Sequence, residues 1–223
     1  DAAFFNMCRP LELVFSNGMD KGELVGIQTG DVTKMTTFEE FFDAYKKQME
    51  YCISLMVNAD NAIDVAHSER VPLPYESCMV DDCLSRGLSV QEGGAVYNFT
   101  GPQGFGIANM ADSLYAIRKL VYEDKKVSME EYKQALAWNY DKGLDQQSVS
   151  DMSEMILKGM QDAGMAVNTD IAKAVLQTVM RLKPTEDQLR RFTEIHHMID
   201  EVPKFGNAID DVDYFARDVA YTY

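Results

Sequence analysis

A glycine-rich loop that runs directly into a long amphipathic helix constrains this chain more than any other feature. From Gly93 to Asp124 the sequence reads GGAVYNFTGPQGFGIANMADSLYAIRKLVYED. Gly93, Gly94, Gly101, Gly104 and Gly106 permit unusual backbone geometry and close approach of other groups. Between them, Tyr97, Phe99 and Phe105 supply aromatic bulk, and Asn98, Thr100 and Gln103 supply hydrogen-bonding groups, a composition that suits a pocket for a small polar or mixed substrate. No GxGxxG and no GxxxxGK[ST] can be written here, and no lysine stands where a phosphate needs one, which argues against a nucleotide cradle. Taken alone, the stretch also reads as a strand, a turn and a helix entry. Alternation along an extended segment would put Tyr97, Phe99, Gly101, Gln103 and Phe105 on one side.

Around this loop the pattern is mainly helical. An apolar segment from Phe4 to Phe15 ends at Asn17-Gly18, a helix-stop signal, with Phe4 and Phe5 read as core. Thr37-x-x-Glu40 forms a capping box before a stripe of Phe38, Phe41, Phe42, Tyr45, Met49, Cys52, Ile53, Met56 and Ile63 at helical spacing. Pro72 and Pro74 interrupt it, and a short helix is predicted from Ser77 to Leu84, carrying a solvated Asp81-Asp82 pair and stopping at Arg86-Gly87. After the loop, Ile107, Met110, Leu114, Ile117, Leu120 and Val121 define an apolar face, capped by Asn109 or Asp112. Ser128-x-x-Glu131 starts a further helix leading to Trp138, read as core, and Leu144 to Val202 is helical in pattern.

Composition narrows the partners. The chain has 223 residues, 46% hydrophobic and 26% charged, which suits a folded domain with a sizeable core. Its 36 acidic against 21 basic residues give a formal charge of -15, which disfavours nucleic acid and anionic membrane surfaces. No apolar run approaches a membrane span, and no basic-then-apolar leader pattern opens the sequence, so a cytoplasmic location is expected. Four cysteines in a chain this long make no disulfide framework, and reduced thiols are expected, with Cys52 the best candidate for a buried one. Cys78 and Cys83 lack a second pair at zinc-finger spacing, and His196-His197 lie far off, so no metal site is expected. Arg190-Arg191 reads as a solvated basic face.

The run Gly93, Asn98, Gly101, Ala111-Asp112-Ser113-Leu114, Ala116-Ile117 and Lys119-Leu120-Val121 resembles the glycyl radical enzymes of the pyruvate formate-lyase superfamily. The branch it is most similar to contains glycerol, diol and hydroxyproline dehydratases and related C–O, C–N and C–S lyases. The likeness extends to Leu11-Glu12-Leu13, Asn17-Gly18, Thr29-Gly30-Asp31, Phe38-Glu39-Glu40 and Gln48, and to Pro203-Lys204-Phe205-Gly206-Asn207 with Asp210 to Asp213. It therefore covers nearly the whole chain.

The resemblance implies an α/β fold in which this chain is a predominantly helical part of the second half of a ten-stranded barrel. It implies an internal fragment, residues 1–223, of a larger catalytic domain, because neither a Gly-Cys-x-Glu nor an Arg-Val-x-Gly-Tyr loop is present. No catalytic residue is therefore expected within the chain. Residues 144–202 look like a helical insertion relative to diol-dehydratase-like members. Substrate-binding roles are implied for Gln103, as a hydrogen-bond partner, for Phe105, as a wall, and for Tyr97 and Phe99, which shape the pocket. No cofactor is expected to bind directly. A glycyl radical in the full-length enzyme, installed by a separate radical S-adenosylmethionine activase with an iron–sulfur cluster, is implied, as are a small-molecule substrate and a homodimer. The implied reaction is radical elimination. Two alternatives stay open: a C–C bond-forming or cleaving member, for which the bulk of Phe105 speaks, and a non-catalytic module derived from the family.

Overall fold

The computed structural model describes residues 3–140, 146–181 and 184–223. In chain order these form β1 (Phe4–Asn6), α1 (Cys8–Phe15), β2 (Met19–Asp20), β3 (Glu23–Leu24), α2 (Phe38–Arg70), α3 (Pro74–Ser77), α4 (Cys83–Arg86) and β4 (Gln103–Phe105). Then follow α5 (Ile107–Ile117), a π-helical segment (Arg118–Glu123), α6 (Met129–Ala137), α7 (Gln146–Asp162), α8 (Thr169–Arg181), α9 (Glu186–Glu201) and α10 (Asp210–Ala220). The chain is mostly helical, and the four described strands make two small sheets, β1 with β4 in parallel and β2 with β3 antiparallel.

Burial of apolar helix faces builds the core. Phe41, Tyr45 and Met49 of α2, Met110, Leu114 and Ile117 of α5, Phe192 and Ile195 of α9, and Val212, Phe215 and Val219 of α10 join Met7 and Val14 in one buried cluster. Phe215 ties its helices together, with ring centroids 5.8 Å from Phe38, 5.9 Å from Phe42 and 6.1 Å from Tyr115. Separations in this range add specific edge and offset attractions to the burial itself.

Local signals set most helix starts. Thr37 with Glu40 and Ser128 with Glu131 form the expected capping boxes. Ser89 with Glu92 and Thr185 with Gln188 form two more. After α1, Asn17 (φ 53) and Gly18 (φ 81) both turn left-handed, and a Cβ on Gly18 would stand 2.5 Å from the Ile27 carbonyl oxygen. Only glycine fits there.

Several expectations are corrected. Of the stripe on α2, Phe41, Tyr45 and Met49 are buried, Cys52, Ile53 and Met56 are half-buried and Ile63 is exposed, because the helix continues past the core elements toward the turn Val90–Glu92. Instead of one helix over Ser77–Leu84 there are two single turns, α3 and α4, since Pro74 starts a helix early and Asp82 (φ 73) breaks the run between them. Helix α5 begins at Ile107 straight after Gly106, so neither Asn109 nor Asp112 caps it, and the Asp112 carboxylate accepts from Phe205 N at 2.8 Å. Cys52 is half-buried, and the fully buried thiol is Cys83. Trp138 is half-buried against the core rather than inside it.

Residues 144–202 contain α7, α8 and α9; residues 141–145 lie outside the described residues. Helix α9 contributes directly to the core through Phe192 and Ile195. Helices α7 and α8 pack on one another, and Lys158 of α7 pairs with Glu23 of β3 at 2.6 Å.

Candidate functional site

Strands β1 and β4 pair Phe4 with Gln103, Phe5 with Gly104 and Asn6 with Phe105. Side chains alternate across a strand, so this register divides them into two faces. Phe5 and Gly104 turn inward, whereas Phe4, Asn6, Gln103 and Phe105 turn outward, with Phe4 74% and Phe105 49% exposed. The outward face is an open platform of two aromatic rings and two amides, with no charged side chain among the four. The Asn6 amide oxygen is engaged, accepting from Cys8 N at 3.0 Å. The Gln103 side chain has no hydrogen-bond partner among the described residues, so its carbonyl and its NH₂ both remain available to a ligand. The backbone of the platform is tied by Gln103 N to Ala3 O at 2.7 Å and Met7 N to Phe105 O at 3.0 Å.

The four residues singled out in the sequence do not share one face. Gln103 and Phe105 are together; Tyr97 and Phe99 lie in irregular chain before the strand, 81% and 82% exposed. The expected alternation from Tyr97 to Phe105 holds only over Gln103–Phe105. Pro102 has no N–H to extend the ladder. The start of the loop is held elsewhere, by the Arg86 guanidinium donating to Gly93 O at 3.0 Å and to Gly94 O at 2.8 Å. Phe99 with Asn98 and Thr100 lines a separate cleft of about 510 Å³ against Asp64 and His67 of α2, where Thr100 Oγ1 donates to Asp64 at 3.0 Å.

Phe4 is the residue that sequence reasoning missed. Next to Phe5 in an apolar run it reads as core, and the platform appears only when β1 is paired with a strand from the far side of α2. The nearby Cys8 is held as a neutral thiol: burial, and then the Glu12 charge, push it up.

The remaining candidates serve structure. Of the Arg190-Arg191 pair, Arg190 is solvated as read, whereas Arg191 donates to Glu131 at 3.1 Å and to Lys126 O at 2.8 Å, clamping α9 to the start of α6. His196 stacks on Tyr140 with centroids 4.7 Å apart. Among the described residues no three His, Cys, Asp or Glu side chains are disposed to hold a metal ion, and no helix is long and apolar enough to cross a membrane.

Comparison with known proteins places the chain in a family. Residues 2–223 match the family described as pyruvate formate lyase-like, and the chain belongs to that family. It is 58% identical, with a TM-score of 0.94 over 99% of its length, to a structure described under 1,2-propanediol dehydration in Roseburia inulinivorans, of which it covers 26%. Against the glycerol-bound B12-independent glycerol dehydratase of Clostridium butyricum the identity is 37% and the TM-score 0.72, covering 99% of this chain and 22% of that one. Trans-4-hydroxy-L-proline dehydratase of Clostridioides difficile is 37% identical over 140 residues, 62% of this chain. The chain spans 18% of the length of that relative. The mostly helical fold matches these glycyl radical dehydratases.

Proposed function

We propose that this chain is part of a cytoplasmic glycyl radical dehydratase that removes water from a small vicinal diol. The observation that carries this reading is the 58% identity, at a TM-score of 0.94 over 99% of the chain, to the structure described under 1,2-propanediol dehydration. The outward platform of β1 and β4 supports it: Gln103 offers a donor and an acceptor to substrate hydroxyls, and Phe105 and Phe4 give a wall for the carbon chain. In this reading Tyr97 and Phe99, which lie outside the sheet, act apart from the platform, Phe99 at the cleft it lines with Asp64 and His67. Neither family radical loop lies in these 223 residues, so the hydrogen abstraction and return that a glycyl radical supplies belong to other parts of the full-length subunit. What the present residues contribute is to orient the diol and keep water from it. A separate radical S-adenosylmethionine activase and a homodimeric subunit arrangement accompany the proposal.

The test is anaerobic expression of the full-length protein with its activating enzyme, followed by assay of 1,2-propanediol, glycerol, trans-4-hydroxy-L-proline and isethionate. Formation of propanal from 1,2-propanediol, or of the corresponding aldehyde from glycerol, with the highest kcat/KM of the panel is expected. Turnover confined to the amino acid or the sulfonate would overturn the reading.

A further inference from the structure

Gly104, in the middle of β4, lies under the ring of Tyr223. A Cβ built on Gly104 would stand 2.9 Å from Cδ1 of that ring and 3.1 Å from its Cε1 and Cγ, closer than an added methyl tolerates. Phe5, the residue directly across from Gly104, stacks on the same ring with centroids 5.5 Å apart and planes at 19°. The Tyr223 hydroxyl reaches Met56 Sδ of α2 at 3.9 Å. Tyr223 itself follows α10, which is anchored in the core by Val212, Phe215 and Val219. The Tyr223 ring, still 36% exposed, therefore covers the inner face of the sheet whose outer face is the platform and links it to α2.

A sheet of two three-residue strands has few contacts of its own to fix its height. Gln103 N to Ala3 O and Met7 N to Phe105 O hold the strands to each other, and at the β1 end Met7 O accepts from the Tyr45 hydroxyl of α2 at 3.4 Å, whereas the middle of the strands, at Phe5 and Gly104, rests on Tyr223. Because Gln103 and Phe105 flank Gly104 on one strand, any rise or tilt at Gly104 moves both outward side chains together.

We propose that Tyr223 is a positioning residue for the substrate platform: its ring, pressed on Gly104 and stacked on Phe5, sets how far Gln103 and Phe105 project toward the substrate. This rests on the dehydratase reading above for its functional consequence, though not for its geometry. Productive orientation is lost over displacements of about 1 Å, which can cost on the order of a hundredfold in rate, so a support that fixes the strand to a few tenths of an ångström is consequential.

The experiment uses the full-length protein and four variants: Gly104→Ala, Tyr223→Ala, Tyr223→Phe and the double variant Gly104→Ala with Tyr223→Ala. Two quantities are read, hydrogen exchange at the Gln103 and Met7 amides, and KM against kcat on the substrate that is turned over. Gly104→Ala and Tyr223→Ala are each expected to speed exchange about tenfold and to raise KM about tenfold with a smaller change in kcat. Tyr223→Phe, which keeps the ring, is expected to stay within about twofold of the parent, and the double variant to lose no more than Tyr223→Ala alone, because the new methyl then has room. Strictly additive losses in the double variant, or unchanged KM despite altered exchange, would overturn the proposal. An unmodified protein that dehydrates no diol would instead remove the functional reading, while the exchange data and the KM for whichever substrate is used still decide the role of Tyr223.

Discussion

The Tyr115 hydroxyl donates a 2.6 Å hydrogen bond to Asp211 Oδ2, joining α5, which follows the glycine loop directly, to the first turn of α10. Burial first, and then this carboxylate, push the Tyr115 phenol up to about 12. Tyr122 is pushed up to about 12 as well, chiefly by burial, yet its hydroxyl has no partner among the described residues. The two rings should therefore respond oppositely to loss of the hydroxyl. Tyr115→Phe is expected to destabilise by about 1 kcal/mol, the usual net value of a hydrogen bond, whereas Tyr122→Phe removes an unsatisfied buried group and is expected to be neutral or stabilising. Urea midpoints of the two variants of the full-length protein check this; equal losses would show that Tyr122 has a partner.

The same groups contribute to the alkaline limit, alongside Tyr45 and Tyr132, whose phenols burial pushes up further. A phenol titrates near 10 in the unfolded chain and about 12 at Tyr115 and Tyr122 in the folded one. Between those values the unfolded chain has released protons that the folded chain retains, so stability is fully present below pH 10 and falls as pH rises toward 12. Unfolding midpoints measured from pH 8 to 11 should decline above pH 10, and less steeply in Tyr115→Phe.

Gln48 is fully buried and spends its whole amide on one residue, donating to Ile27 O at 2.6 Å and accepting from Ile27 N at 3.2 Å. Gln48→Leu would leave both backbone groups of half-buried Ile27 without this partner. The expected loss is about 2–4 kcal/mol, two orphaned groups at roughly 1–2 kcal/mol each. Gln48→Glu should be at least as damaging, since it places a charge against the Ile27 carbonyl. Thermal unfolding of both variants is the measurement, and a loss under about 0.5 kcal/mol would mean that water replaces the amide.

Arg191 joins α9 to the N-terminus of α6 with a fork that a lysine cannot reproduce, contacting Glu131, Glu194 and Lys126 O. Arg191→Lys is expected to cost about 1 kcal/mol, because the pairs are partly exposed and screened while the carbonyl contact is lost. The Glu131 carboxyl is held below its ordinary range by the Ser128 N–H first, with Arg191 adding to this. The contribution of Glu131 is therefore present above its unfolded titration near pH 4.5 and is lost as pH falls below it. A lysine variant with parental stability at every pH would show the fork to be dispensable.

Phe105 stands on the platform beside Gln103, half-exposed, where it bounds the carbon chain in the proposed reading. Phe105→Ala in the full-length enzyme is expected to change the ratio of kcat/KM for 1,2-propanediol over glycerol by about tenfold, the low end of what pocket contacts are worth for a partly open wall. Unchanged ratios across a diol panel would place the wall elsewhere.

The sequence by itself determined the family likeness, the helical character and the local stops and starts, because these depend on neighbours in the chain. Thr37 with Glu40, Ser128 with Glu131, and Gly18 act within a few residues of themselves, and their patterns are legible one by one. Gln103 and Phe105 could be marked as neighbours on one face because a strand repeats every two residues. Only the tertiary structure decided what that face contains. The parallel pairing of β4 with β1 brings in Phe4, and Arg86 with Pro102 keeps Tyr97 and Phe99 out of the sheet. The Tyr223 ring beneath Gly104 was equally hidden, since it comes from the opposite end of the chain. Long-range contacts of this kind arise from how whole helices pack, and a residue pair has no local pattern to announce that packing.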